Sequence, residues 1–203
     1  MVVQRRTCIL KPNTNSENTQ PLEQTVQHFL YACNYITDTA WNETEPVETT
    51  KTTLHEQTYN HLKQHTKLQT GVIQLARDKT VSTLKSTLSQ RSNRDKASKP
   101  EFHNPTAEFD TRSATFNKTS ISIATTQGRI EYDYILPTDY QNVDYFEYLT
   151  EEEWSPAKAT LHNKNGDWFV HVGFKREIDS FDSTEEGRTV LGVDLGINQL
   201  AVT

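Results

Sequence analysis

Between Leu22 and about Asn42, apolar residues recur at steps of three and four. Leu22, Val26, Phe29, Leu30, Cys33, Ile36, Ala40 and Trp41 fall on one side of a helical wheel. That spacing predicts an amphipathic helix starting near Pro21, after the turn-rich stretch "PNTNSENTQP". The pattern predicts a second helix over Thr53–His65. A third runs from about Gln69 to Leu88, carrying Val72, Ile73, Leu75, Ala76, Val81, Leu84 and Leu88. Three helices with short connections make a small bundle.

The period changes after residue 90. "RSNRDKASKPEFHNP" reads as a polar connection, and "FNKTSISIATTQGRIEYDYILP" as a hairpin turning near Gln127–Gly128. Ala157–His162 and Trp168–Phe174 form a second hairpin around Asn165–Gly166, with Trp168, Val170, Val172 and Phe174 alternating onto one face. Residues 2–11 are strand-like, and a last apolar strand runs through Thr189–Val193. The expected fold is therefore α+β. Its first strand rejoins the later hairpins as a small antiparallel barrel, with the helical bundle inserted. The boundaries drawn are 1–14, 21–92, 100–178 and 188–203.

Composition adjusts this picture in three places. Only 33% of the 203 residues are hydrophobic, and the mean hydropathy is −0.76, so long loops are expected. The net charge of −6 argues against a whole surface that coats nucleic acid, while leaving room for a local basic groove. Scarce Lys with plentiful Asp, Glu and Thr suits a salt-adapted, halophilic surface. Cys8 and Cys33 are too few for a disulfide scaffold, and no apolar run approaches a signal peptide or a membrane span. The expectation is a protein of the reduced cytoplasmic compartment with no membrane partner. The acidic run at 139–153, without Lys or Arg, reads as a solvated face or flexible loop.

Candidate chemistry starts at "VLGVDLGINQLAVT", where Asp194 stands at a strand–turn junction. A carboxylate held there suits a metal ligand in phosphodiester hydrolysis, which needs further carboxylates to share its ions. The same residue would also suit an ordinary turn; the residues alone leave both open. A phosphate-binding hairpin of sugar-kinase type would want hydroxyl residues in place of Ile197, Asn198 and Gln199.

The second feature is basic. Arg77, Lys79, Lys85, Arg91, Arg94, Lys96 and Lys99 face only Asp78 and Asp95 within the same stretch, seven positive charges against two. Such a surplus on an acidic chain suits phosphate contacts, with Arg5 and Arg6 on the first strand adding to it. The other reading is ordinary helix-surface charge followed by a solvated loop. The aromatics at Phe102, Phe109, Phe116, Tyr132, Tyr134, Tyr140, Tyr145, Phe146 and Tyr148 read as core or rim before they read as stacking platforms. His61 and His65 share a helical face, and His162 and His171 lie on the two strands of one hairpin. Neither pair has the companions of a metal site.

With these features together, the chain resembles the transposon-encoded OrfB/TnpB family, compact relatives of the type V CRISPR effectors. "VLGVDLGINQLAVT" is similar to that family's first RuvC motif, and "NGDWFVHVGFKRE" to the strand preceding its RuvC part. The resemblance implies a wedge-type barrel whose first strand lies in 1–14 and whose remainder spans 100–178. It implies a recognition bundle at 21–92 and the start of an RNase H-like (RuvC) domain at 188–203. It further implies RNA-guided DNA cutting, guide RNA and DNA as partners, and Mg²⁺ held in part by Asp194. The family's later Glu, final Asp and Cys-rich zinc element have no counterpart in the sequence. The expectation is therefore an N-terminal part that binds nucleic acid, holds no metal tightly and does not cut alone. A separate chain could supply the rest. Two alternatives stand beside it: a non-catalytic nucleic-acid-binding or regulatory module, and an interaction protein whose acidic run docks a basic partner.

Overall fold

The structure, a computed structural model, describes residues 2–15, 18–41, 46–90, 98–136 and 144–178. Its helices follow the apolar periodicity closely. α1 spans Gln20–Ala40, with Pro21 in its first turn, where a missing N–H is harmless. Leu22, Val26, Phe29, Cys33, Ile36 and Ala40 are buried on its inner face. α2 (Lys51–His65) buries Leu54, Thr58 and Leu62, and α3 (Thr70–Gln90) packs against both.

A Thr-rich chain must place hydroxyls inside, and it does so with bonds one turn back. Thr25, Thr37, Thr58 and Thr66 donate to the carbonyls of Pro21, Cys33, Leu54 and Leu62 at 2.5–2.9 Å. Each hydroxyl is thereby satisfied where it lies, and an apolar content of 33% still suffices to build a core.

The strands are β1 (Val2–Leu10), β2 (Thr106–Asp110), β3 (Ala114–Phe116), β4 (Ser120–Thr125), β5 (Gly128–Asp133), β6 (Ser155–Lys164) and β7 (Asp167–Ile178). They form two antiparallel sheets, β1-β7-β6-β2 and β3-β4-β5. The first strand does pair with the last hairpin, in register from Val2 opposite Ile178 to Leu10 opposite Val170. Just past β1 the chain meets the second sheet. Pro12 bridges Tyr134, and the Ile135 N–H donates to the Lys11 carbonyl at 2.8 Å.

Both expected hairpins are present. Asn165 (φ 56°) and Gly166 (φ 91°) both take left-handed backbone, the signature of a type I′ turn that matches strand twist. In the other hairpin Thr126–Gln127 make the loop and Gly128 (φ 100°) opens β5.

Three elements escape the sequence pattern. β2 and β3 are short and lie in a stretch read only as connection and barrel remainder. Within the acidic run, Asp144–Thr150 forms a short helix, α4, where a solvated face or loop was expected. Tyr148 and Trp154 meet edge to face at 4.8 Å, Tyr148 also lies 5.9 Å from Phe174, and the Trp154 indole N–H donates to Glu147 at 3.1 Å, so rings and one acid anchor this segment.

The inner face of the larger sheet carries Cys8, Leu10, Ala107, Phe109, Ala159, Leu161, Trp168, Val170, Val172 and Phe174. These residues join those of the helices and the smaller sheet in one continuous core. The other face is turned outward over β1, β7 and β6, while at β2 the Lys79 side chain of α3 reaches across it to Thr106 and Glu108. No helix among the described residues is long and apolar enough to cross a membrane.

Candidate nucleic-acid interface

Period two in each strand decides which side chains stand on the outer face. Because Cys8 and Leu10 go inward, Val3, Arg5, Thr7 and Ile9 come outward from β1. Because Trp168, Val170, Val172 and Phe174 go inward, the residues between them come outward: Phe169, His171, Gly173 and Lys175. From β6 the outward set is Lys158, Thr160, His162 and Lys164.

Strand register then assembles these into rows. Lys175 lies opposite Arg5, Gly173 opposite both Thr7 and Lys158, His171 opposite Ile9 and Thr160, and Phe169 opposite His162. Phe169 and Lys175 are six residues apart, so the face extends about 20 Å along the strands.

The middle of this face is aromatic and apolar. Ile9 is 57% exposed, an uncommon position for an isoleucine on a strand. The His162 and His171 rings are diagonal neighbours, with centroids 4.2 Å apart. Burial, then the neighbouring His171 and Lys79, hold His162 below its ordinary pKa, so this ring is neutral at pH 7 and offers a π face. Ile9, Pro105, His162, Lys164, Phe169 and His171 line a groove of about 510 Å³.

Cations sit at both ends. At one end Lys11 pairs with Asp167 at 3.0 Å and lies 5.6 Å from the Phe169 ring centre, with Lys164 nearby on the groove wall. At the other end Arg5 and Lys175 are both exposed and border a hollow of about 570 Å³ with Val3, Glu153 and Glu177. Like charges directly opposite across strands are unfavourable. Among the described residues neither Arg5 nor Lys175 has an ion-pair partner. Midway, Lys158 pairs with Glu108, which also meets Lys79 at 3.5 Å.

The basic positions singled out in the sequence divide unevenly. Arg5 lies on the outer face. Arg6, one residue on, is exposed on the opposite side and donates from Nη1 to the Arg5 carbonyl at 3.1 Å. Arg77 donates from Nε and Nη2 to Asp78 at 2.9 and 2.7 Å. Asp78 also receives Lys51 at 3.0 Å. Burial raises the Asp78 pKa, yet bonds from Arg77 and Lys51 outweigh it and hold the carboxyl below the usual range. Lys79 pairs with Glu108 and donates to Thr106 Oγ1 at 3.1 Å, and Lys99 pairs with Asp38 at 2.8 Å. Lys85 is exposed on α3. Three of the four described members of this stretch are thus matched by carboxylates, two of them distant in sequence, which weakens the field they present. Arg91, Arg94, Lys96 and Asp194 lie outside the described residues, as does the whole of 188–203.

No three His, Cys, Asp or Glu side chains among the described residues converge as a metal site. The cysteines are buried and free, and burial pushes both thiols up to about 12, which makes them inert packing groups.

Sequence reasoning did not find Phe169, His171, Lys175, Lys158, Lys164, Lys11 and Ile9 as one surface. The available signal was the complement of the apolar alternation in β7: whatever lies between four inward residues must face out. No family model matches this chain, and no curated protein matches it.

Proposed function

We propose that this chain binds nucleic acid through the outer face of its four-stranded sheet, as the RNA- and DNA-holding part of a nuclease of the OrfB/TnpB type. The observation that carries the binding reading is the Arg5–Lys175 pair. Two exposed cations are set opposite each other, bordering the same hollow, with no carboxylate paired to either among the described residues. Glu153 and Glu177 border the same hollow without forming an ion pair with either cation, so the fold offsets the repulsion between Arg5 and Lys175 only in part. A polyanion lying across the sheet offsets the rest. The matched charges of α3 make a weaker case than this pair does.

The family part of the proposal rests on element order and on the closing motif. A first strand pairs with the last hairpin, three helices are inserted between, and "VLGVDLGINQLAVT" follows. The bridge from Pro12 to Tyr134 links the sheets at one corner, as an open antiparallel barrel would require. In that reading Asp194 supplies one carboxylate toward Mg²⁺, and the described residues hold nucleic acid.

Titration of the purified chain with structured RNA and with duplex DNA, at low and high salt, tests the binding claim. Affinity that falls steeply with salt is the expected result. No salt-sensitive binding at micromolar protein overturns it.

A further inference from the structure

The outer face is more than a charged plane, and its middle says which form of nucleic acid it takes. Phosphate contacts alone would be served by lysines along the whole length. Instead the central rows hold Phe169, His162, His171 and Ile9, with Gly173 leaving a bare step beside them. Rings on an open sheet have a specific use with nucleic acids: they offer π surface to bases that are not already stacked. In a duplex those base faces are hidden, and only the backbone and groove edges are presented.

We infer that the groove lined by Phe169, His162, His171 and Ile9 is a stacking site for unpaired bases, so that this face prefers single-stranded to duplex nucleic acid. This inference rests on the nucleic-acid reading above and narrows it.

The geometry supplies each part of such a site. The groove of about 510 Å³ lies within the range of small-ligand pockets, which suits one flat heterocycle entering between strand-borne side chains. Phe169 and His162 lie opposite each other in register, so a base entering the groove has a ring on each of two strands. The Lys11–Asp167 pair at its rim is solvent-exposed, with side-chain exposures of 38% and 60%. Exposed pairs of this kind hold weakly, so Lys11 can leave Asp167 for a phosphate. Lys164 stands on the same wall, and Arg5 with Lys175 continue the cationic track at the far end. Sugar and phosphate thus have cations before and after the stacking position.

The test uses the whole chain with labelled oligo(U), oligo(dT) and a duplex of matched length, followed by fluorescence anisotropy at one salt concentration. The single strands are expected to bind more tightly than the duplex, and whichever of RNA or DNA binds better identifies the strand. Phe169→Ala is expected to weaken single-strand binding about 5- to 150-fold, the span of base–aromatic stacking, with the duplex little changed. Phe169→Leu keeps the apolar bulk and tests the ring itself, so a folding defect in the alanine variant does not decide the matter. Phe169→Trp is expected to retain the affinity. Equal binding of duplex and single strand, or single-strand affinity unchanged in Phe169→Leu, overturns the stacking site while salt-dependent binding still stands. Absence of binding to every oligomer overturns the broader reading as well.

Discussion

Replacing Arg5 and Lys175 together by glutamine separates a binding role from a folding role, because the two roles predict opposite signs. The pair is exposed, directly opposed across β1 and β7, and without a carboxylate partner among the described residues. Removing opposed like charges relieves repulsion of about 0.2–1 kcal/mol. For a chain of this size that is a rise in melting temperature of up to about 4 °C. Binding should move the other way. Of the cations on the face, Lys158 is held by Glu108, leaving Arg5, Lys164, Lys175 and the weakly paired Lys11 to release counterions. Four phosphates neutralised on a single strand give a log–log salt slope of about −2.8, or about a fiftyfold loss of affinity between about 50 and 200 mM salt. With Arg5 and Lys175 gone, the slope should flatten to about −1.4, and the same salt change should cost only about sevenfold. Anisotropy titrations at several salt concentrations and a circular-dichroism melt read both quantities from one preparation. An unchanged slope, or a variant that melts clearly lower than the parent, refutes the assignment of this pair to polyanion binding.

Two further outcomes test the fold beneath the site. Gly166→Ala keeps open space around the new methyl group but forces an L-residue to φ 91°. The β6–β7 hairpin should therefore lose about 1–2 kcal/mol, seen as a melting point lowered by several degrees. Burial holds His28 and His162 below their ordinary pKa of 6.5, so the folded state resists protons that the unfolded chain accepts. Their contribution to stability is complete above 6.5 and is lost as pH falls through the lower folded values. The urea midpoint should therefore drop on acidification below about pH 6.5, and His162→Gln should flatten that drop. A midpoint that holds constant down to about pH 5 would contradict this.

How far the sequence could be read depended on the range of the interactions involved. α1, α2 and α3 were legible to within two residues because a helix is made by neighbours three and four apart, and the apolar spacing records that directly. The Asn165–Gly166 turn was legible for the same local reason. β2 and β3 were not, since strands of five and three residues carry too few alternations to stand out from a connection. α4 was hidden by its acids, although Tyr148 and Trp154 anchor it through packing that no local pattern displays. For charge the local view was incomplete. Lys79 and Lys99 stand in a basic run, but Glu108 and Asp38 reach them from elsewhere in the chain.

What the sequence by itself determined is the three long helices, the two hairpins, the strand that opens the chain, and the inward face of β7. Those follow from short-range periodicity, where burial of apolar side chains leaves little choice. What only the tertiary structure decided is the outer face. Arg5 and Lys175 are 170 positions apart in the chain, and nothing local links them. They meet because β1 pairs with β7 in one register, and a slip of a single residue would have turned every outward side chain of β1 toward the core. Core burial sets that register. The cationic and aromatic face is its consequence on the other side of the sheet.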